Sequence, residues 1–251
     1  MAHLAALAEN NGGARMLSFL GAGAYCHHIP PAVDQLLLRS EFYTAYTPYQ
    51  PEVAQGTLQA IWEFQTIVSE IYGLPLANAS LYDGASATAE AALMARRLTR
   101  RSKILISGCV HPEYRATTAT YLSGDAPPGF TDIPVGEDGR SSLTALRASI
   151  TDDVAAVIVS TPSFLGPLTD LAPIAEAAHA HGALLVVTCP EPYALAIAES
   201  PGALGADIVV YSATKHAVEG MTKSMSIEWG PHGIRVNTIA PTFIRTALTA
   251  G

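Results

Sequence analysis

Cysteine is scarce in this 251-residue chain: Cys26, Cys109 and Cys189 are odd in number and far apart. That spacing argues against a disulfide framework or a zinc knuckle and predicts a reducing, cytoplasmic setting. Charge is scarce as well, at 14% of residues, and basic charge scarcer still, with 14 Lys+Arg against 22 Asp+Glu and a net charge of -8. Such a balance leaves no electrostatic footprint for nucleic acid or an anionic membrane. No apolar run approaches the length needed to span a bilayer, and no basic stretch followed by an apolar run opens the chain, so neither a membrane span nor a secretory signal is expected. What is abundant is apolar residue, 49% of the chain, enough for one large, well-buried globular domain.

The charge is unevenly spread. Residues 211–251 hold four basic and two acidic side chains, net +2, which leaves -10 for residues 1–210.

Leu58, Ile61, Phe64, Val68 and Ile71 recur at three and four residues, predicting an amphipathic packing helix that follows Pro51 and ends at Gly73. Ala85–Leu98, rich in Ala, Leu, Met and Glu, predicts a second helix after the turn at Asp83 and Gly84. Short β-branched runs then alternate with helical stretches. Lys103–Ser107, Val154–Ser160, Ala183–Thr188, Ala206–Tyr211 and Arg235–Ile239 are expected strands, and Pro112–Leu122, Ser141–Ile150, Asp170–His181 and Thr214–Trp229 expected helices, with a surface loop over Gly124–Gly129. Strands apolar on both faces belong to a mostly parallel sheet with helices on both sides, an α/β fold.

Phe19–Tyr25 reads FLGAGAY, but Cys26 stands where a dinucleotide loop needs its third glycine and no strand precedes it, so a tight turn is the simpler reading. Glu41–Glu52, EFYTAYTPYQPE, is less ordinary: three tyrosines, two threonines and a glutamine are held in a backbone stiffened by two prolines. Such a segment presents hydrogen-bonding groups at low entropic cost, although a surface loop with packed tyrosines fits equally.

With FLGAGAYCHHIPPAV, SLYDGASATAEAALMA, ISGCVHPEYRATTATYLSG and VIVSTPSFLGPLTDL, this segment resembles subunit 1 of the two-subunit glycine decarboxylase P-protein family, from about Leu17 to Val210. The resemblance implies a truncated aminotransferase-like large domain and a place in glycine cleavage, where glycine is decarboxylated and its aminomethyl group passes to a lipoyl carrier protein. It also implies that pyridoxal phosphate is held by a lysine of the partner, P-protein subunit 2, in an oligomer inactive without it. His28, Tyr46, Thr47, Tyr49 and Gln50 are then expected to face the glycine site. Ser86 and Thr88, at a helix start, could receive a phosphate or serve as a helix cap. His111 could lie over a pyridine ring or be an ordinary surface histidine. Cys189 departs from the family's aspartate after a strand, and a thiol lacks the carboxylate's strong hydrogen bond to a pyridinium.

From Tyr211 the chain reads YSATKHAVEGMTKSMSIEWGPHGIRVNTIAPTFIRT, which resembles the C-terminal part of short-chain dehydrogenase/reductases. Tyr211 and Lys215 form its Y-x-x-x-K pair, in which one helical turn lets the ammonium lower the phenol's pKa for NAD(P)-dependent acid/base work. The serine that this family carries about thirteen residues before the tyrosine is missing, as is its glycine-rich cofactor loop. The expected organisation is therefore a P-protein-like body over 1–210 and a reductase-like strand–helix–strand over 211–251. Ala217, Met221, Met225 and Trp229 give the latter an apolar stripe able to cover a sheet edge. Two alternatives stay open: Lys215 as a Schiff-base lysine, since GADIVVYSATK also resembles cystathionine-type pyridoxal enzymes, and a folded but inactive chimeric product.

Overall fold

The computed structural model describes residues 2–10, 29–43, 47–124 and 130–211. The chain forms two compact units, residues 1–20 with 214–251, and residues 21–213. In the first, the described element is helix α1, Ala2–Glu9.

The second unit begins with α2 (Pro31–Leu37), α3 (Ser40–Tyr43), α4 (Gln55–Tyr72) and α5 (Gly84–Thr99). It continues through β1 (Lys103–Ser107), α6 (Pro112–Leu122), β2 (Phe130–Ile133), α7 (Leu143–Ser149) and β3 (Val154–Ser160). Helix α8 (Ala172–Ala180), β4 (Leu184–Cys189), a short 3-10 turn (Pro192–Ala196) and β5 (Ile208–Tyr211) complete it. The five strands are parallel, in the order β2-β1-β3-β4-β5.

Strand residues alternate between two apolar layers. Leu105, Val157, Val159, Leu185 and Val187 meet α7 and α8 through Leu146, Leu171 and Ile174. Ile104, Ile106, Ile158, Val186 and Val210 meet α5 and α6 through Ala91, Ala92, Ala95, Tyr114 and Leu122. All seven residues of β3 are buried, which is why its sequence has no polar alternation. Each fully buried isoleucine or leucine here stabilises the fold by roughly 1.5–3 kcal/mol. The alanines of α5 let that helix lie close on the sheet.

Helix α4 ends as its sequence predicts. Gly73 takes a left-handed backbone, φ 69°, and Leu74 N–H donates to Ser69 O at 3.0 Å. The packing role expected for its stripe is met in part: Val68 and Tyr72 are buried, whereas Leu58, Phe64 and Ile71 are exposed. Strands β1 and β3 have their expected bounds. Strand β2 is an addition to the expected set, as are α2 and α3. Arg235–Ile239 and Thr214–Trp229 lie outside the described residues. Among the described residues, no helix is long and apolar enough to cross a membrane.

Candidate functional site

Parallel strands deliver all their C-terminal ends to one edge. Strand β1 sends α6 to one face and β3 sends α8 to the other, so the chain parts between β1 and β3, where open α/β sheets place their ligands. Helix α5 joins β1 through Arg100–Ser102 and therefore runs back along the sheet, bringing its N-terminus to the same edge.

That N-terminus is already supplied with an anion. The Asp83 carboxylate accepts from Ser86 N–H at 2.6 Å. Ser86 Oγ donates to Asp83 O at 3.3 Å, and the buried Thr88 Oγ1 donates to Gly84 O at 2.6 Å. The expected cap is corrected accordingly: Asp83 caps the helix, and both hydroxyls are turned onto backbone carbonyls. Replacing Asp83 by Ala should cost about 1 kcal/mol, a drop in thermal midpoint of about 2–4 °C for a domain of this size; an unchanged midpoint in differential scanning calorimetry would remove Asp83 from this role.

The crevice between β1 and β3 is stitched across. Phe164 N–H donates to Cys109 O at 2.8 Å, Ser163 Oγ to Gly139 O at 2.8 Å, and Ser141 Oγ to Ser107 Oγ at 2.7 Å. His111 starts α6, its Nδ1 accepting from Glu113 N–H at 3.2 Å, so in the neutral ring the proton sits on Nε2. Its ring meets Phe164 edge-on, centroids 4.9 Å apart, and lies 5.1 Å from Tyr114.

At the end of β4, Cys189 is fully buried and its thiol is pushed up to about 12, first by burial and then by the charge of Glu191. Burial likewise pushes the Tyr72 phenol up. Tyr211 pairs with Cys189 in the sheet register, stacks on Tyr72 with centroids 5.5 Å apart, and its hydroxyl lies 2.9 Å from Ser80 Oγ. Ser80 itself has φ 90°, a strained value for a residue with a side chain. As the last residue of β5, Tyr211 has strand partners on the body; Lys215 lies outside the described residues.

Of the residues expected to face glycine, His28 and Tyr46 also lie outside the described residues. Thr47, Tyr49 and Gln50 are exposed on the segment leading into α4, Tyr49 by 77%. Ser86 and His111 start α5 and α6 at the strand edge, with Thr88 buried one turn into α5.

The residues at that edge do not fit pyridoxal phosphate. A carboxylate holds the helix N-terminus where a phosphate would bind, the two strand-end loops are bonded together, and a protonated thiol stands where a pyridinium needs a carboxylate. Asp83 and the Ser80–Tyr211 contact escaped sequence reasoning. Asp83 had a signal, an aspartate three residues before a small polar residue at a helix start; the Ser80–Tyr211 contact spans 131 residues and had none.

Comparison with known proteins places this geometry. The family model described as Glycine cleavage system P-protein matches residues 1–221. A model described as Enoyl-(Acyl carrier protein) reductase matches residues 195–251. A Sorangium cellulosum protein named probable glycine dehydrogenase (decarboxylating) subunit 1 is 60% identical over 212 residues, 84% of this chain and 47% of that protein. Its Geobacillus kaustophilus namesake is 52% identical over 208 residues, 82% and 46% respectively. A crystal structure of glycine decarboxylase (P-protein) in inhibitor-bound form superposes with a TM-score of 0.74 at 48% identity, over 85% of this chain and 47% of that one. Mouse CSAD in apo form, at 16% identity and a TM-score of 0.55 over 73% of this chain and 43% of that one, shares the fold alone.

The fold is thus the aminotransferase-like fold of glycine decarboxylase. The chain belongs to the glycine cleavage system P-protein family, and it spans about half the length of the curated relatives it matches.

Proposed function

We propose that this chain is the subunit-1 component of a two-subunit glycine dehydrogenase (decarboxylating), a soluble oxidoreductase component of the glycine cleavage system that is inactive alone. The carrying observation is the 60% identity to a protein named as that subunit, running through the whole sheet. Pyridoxal phosphate is held on a lysine of the partner subunit, where it supplies the electron sink for decarboxylating glycine. A lipoyl carrier protein receives the aminomethyl group. Thr47, Tyr49 and Gln50, with His28 and Tyr46, face glycine. The misfit of Asp83 and Cys189 to the cofactor supports its residence on the partner. Free, buried Cys109 and Cys189 suit the reducing cytoplasm.

The body spans residues 1–210 and the reductase-like segment 211–251 is appended to it. A second reading, an NAD(P)-dependent reductase using Tyr211 and Lys215, is favoured by the reductase-family match over residues 195–251.

The test mixes the chain with a P-protein partner subunit, pyridoxal phosphate, lipoyl carrier and glycine, and follows release of carbon dioxide. Neither subunit alone is expected to turn over, and the mixture is. No rate from the mixture, with saturable binding of NADPH by the chain, would move the assignment to the reductase. Neither activity would leave an inactive chimeric chain.

A further inference from the structure

Helices α7 and α8 lie on one face of the sheet, with Leu146 of α7 and Ile174 and Ala178 of α8 packed on the same apolar layer. Between their outer flanks runs an open groove of about 270 Å³, lined by Arg147, Ile150, Glu176, Ala177, Ala180 and His181. Alanines at 177 and 180, three residues apart on α8, leave this space, since longer side chains at i and i+3 would fill it. Helix α7 ends before β3 and α8 before β4. The groove therefore lies toward the sheet edge opposite the one that carries Asp83, Ser86 and His111.

The floor of the groove is apolar and its rims are charged. Ile150 is 6% exposed and Ala177 9%. Arg147 and Glu176 are exposed and opposite in charge, yet neither side chain makes a hydrogen bond or ion pair with a described residue, the other one included. Elsewhere on this surface neighbouring opposite charges are joined, as in Arg39 with Glu41, Lys103 with Asp153 and Arg140 with Asp138. His181 forms a fixed end wall. Its Nδ1 lies 2.8 Å from Asp152 Oδ1, and its carbonyl accepts from Arg101 Nη1 at 2.7 Å.

The two unpaired charges select the ligand. An anion would meet Glu176, a cation would meet Arg147, and an uncharged apolar molecule would strip water from both without replacing it. A molecule with both signs at one end and a short hydrocarbon at the other avoids all three penalties. An α-amino acid with an aliphatic side chain has that form. Its carboxylate offers two acceptors to the guanidinium fork, its ammonium offers three donors to Glu176, and its hydrocarbon covers Ile150, Ala177 and Ala180. The groove lies at the small end of ligand sites, as a molecule of this size requires.

We propose that the α7–α8 groove binds a free aliphatic α-amino acid, held through its carboxylate by Arg147 and through its ammonium by Glu176. The site uses no residue of the β1–β3 crevice and needs neither cofactor nor partner subunit. It therefore stands independently of the glycine dehydrogenase reading.

Saturation-transfer NMR titration of the full chain with L-leucine tests the site. An open groove should give saturable binding with a Kd on the order of 1 mM. Leucinamide, which lacks the carboxylate, and 4-methylpentanoate, which lacks the ammonium, should each bind about tenfold more weakly or worse. Arg147→Gln should weaken leucine to the same degree while leaving leucinamide unchanged, and Glu176→Gln should do so while leaving 4-methylpentanoate unchanged. Ala180→Leu fills the groove and should abolish binding. All three positions are exposed, so thermal midpoints should stay at the parent value and separate loss of the site from loss of the fold. No saturation by about 50 mM leucine overturns the proposal, as does parent affinity in Arg147→Gln or Ala180→Leu, or equal binding of leucine and its two truncated forms. Lowered midpoints in both charge variants without leucine binding by the parent also overturn it, and would mean that Arg147 and Glu176 pair with each other in solution.

Discussion

Replacing Gly202 by alanine should destabilise the protein by about 3 kcal/mol or more, the upper part of the range for overpacking, and lower its thermal midpoint by about 6–12 °C. The reason is a backbone crossing. Gly202 N–H donates to Tyr72 O at 2.9 Å, which ties the turn before β5 to the end of α4. A Cβ on Gly202 would lie 2.1 Å from Gly73 O, 2.5 Å from Gly73 C and 2.8 Å from Tyr72 O. All three are backbone atoms, so no rotamer change relieves the clash and the two segments must part. Parting them withdraws α4 from β5, opening the stack of Tyr72 on Tyr211 and uncovering Cys189. The near-ultraviolet circular dichroism of the tyrosines should therefore fall together with the midpoint. Gly56→Ala is the matched control, because its Cβ would meet nothing within 4 Å on α4. Equal midpoints for the two variants would mean that the crossing is not as tight as drawn.

This crossing also marks the limit of what the sequence reveals. Strands β1 and β3 were legible to the residue because they are buried on both faces and their composition has no other explanation, whereas interior β4 runs one residue later than expected. Strand β2 was not, since at the sheet's edge only Ile133 of FTDI is buried and the run carries no apolar pattern. Helix α4 is legible in place and in its glycine stop, but its periodicity predicts a packing face without naming what covers it. Periodicity reports a face that is to be buried, not by what, and among the described residues of α4 only Val68 and Tyr72 are fully buried, with Ile61 half-buried. Helix α2 shows the same ambiguity more strongly, with an apolar face and no buried residue.

The site divides in the same way. The Glu41–Glu52 segment stood out by composition alone, and Cys189 stood out by its departure from an aspartate. What those residues touch was not legible. Tyr211 reads as half of a catalytic pair, yet as the end of β5 it is tied to Tyr72 and Ser80, residues brought beside it only by the packing of α4 and the α4–α5 connection. A motif records residue types at a spacing, and its chemistry depends on the backbone that carries them: one turn apart on a helix is a different geometry from the end of a strand.

Replacing Cys189 by Asp should leave the protein nearly as stable as the parent at pH 4 and several kcal/mol less stable at pH 8. The position is fully buried beside Tyr72 and close to Glu191, the two conditions that already push the Cys189 thiol up to about 12, burial first and the Glu191 charge second. Both act on a carboxyl in the same direction and raise its folded pKa above the value of about 3.9 that it has when unfolded. With the folded pKa raised, the unfolded chain gives up its proton first. Stability is fully present below about pH 4 and lost as pH rises through the folded pKa. An uncompensated buried charge costs roughly 3–5 kcal/mol, which sets the size of the loss at pH 8. The parent thiol stays protonated throughout that window, so the parent should show no corresponding decline from this position. Urea unfolding at pH 4, 6 and 8 measures the difference directly, and a deficit of equal size at all three would assign it to lost packing instead of charge. The variant should also remain without the visible absorbance of bound pyridoxal phosphate, because Asp83 still holds the α5 N-terminus and Phe164 still bridges to Cys109. A carboxylate at one strand end does not make a cofactor site while the other positions of the crevice remain filled by the chain itself.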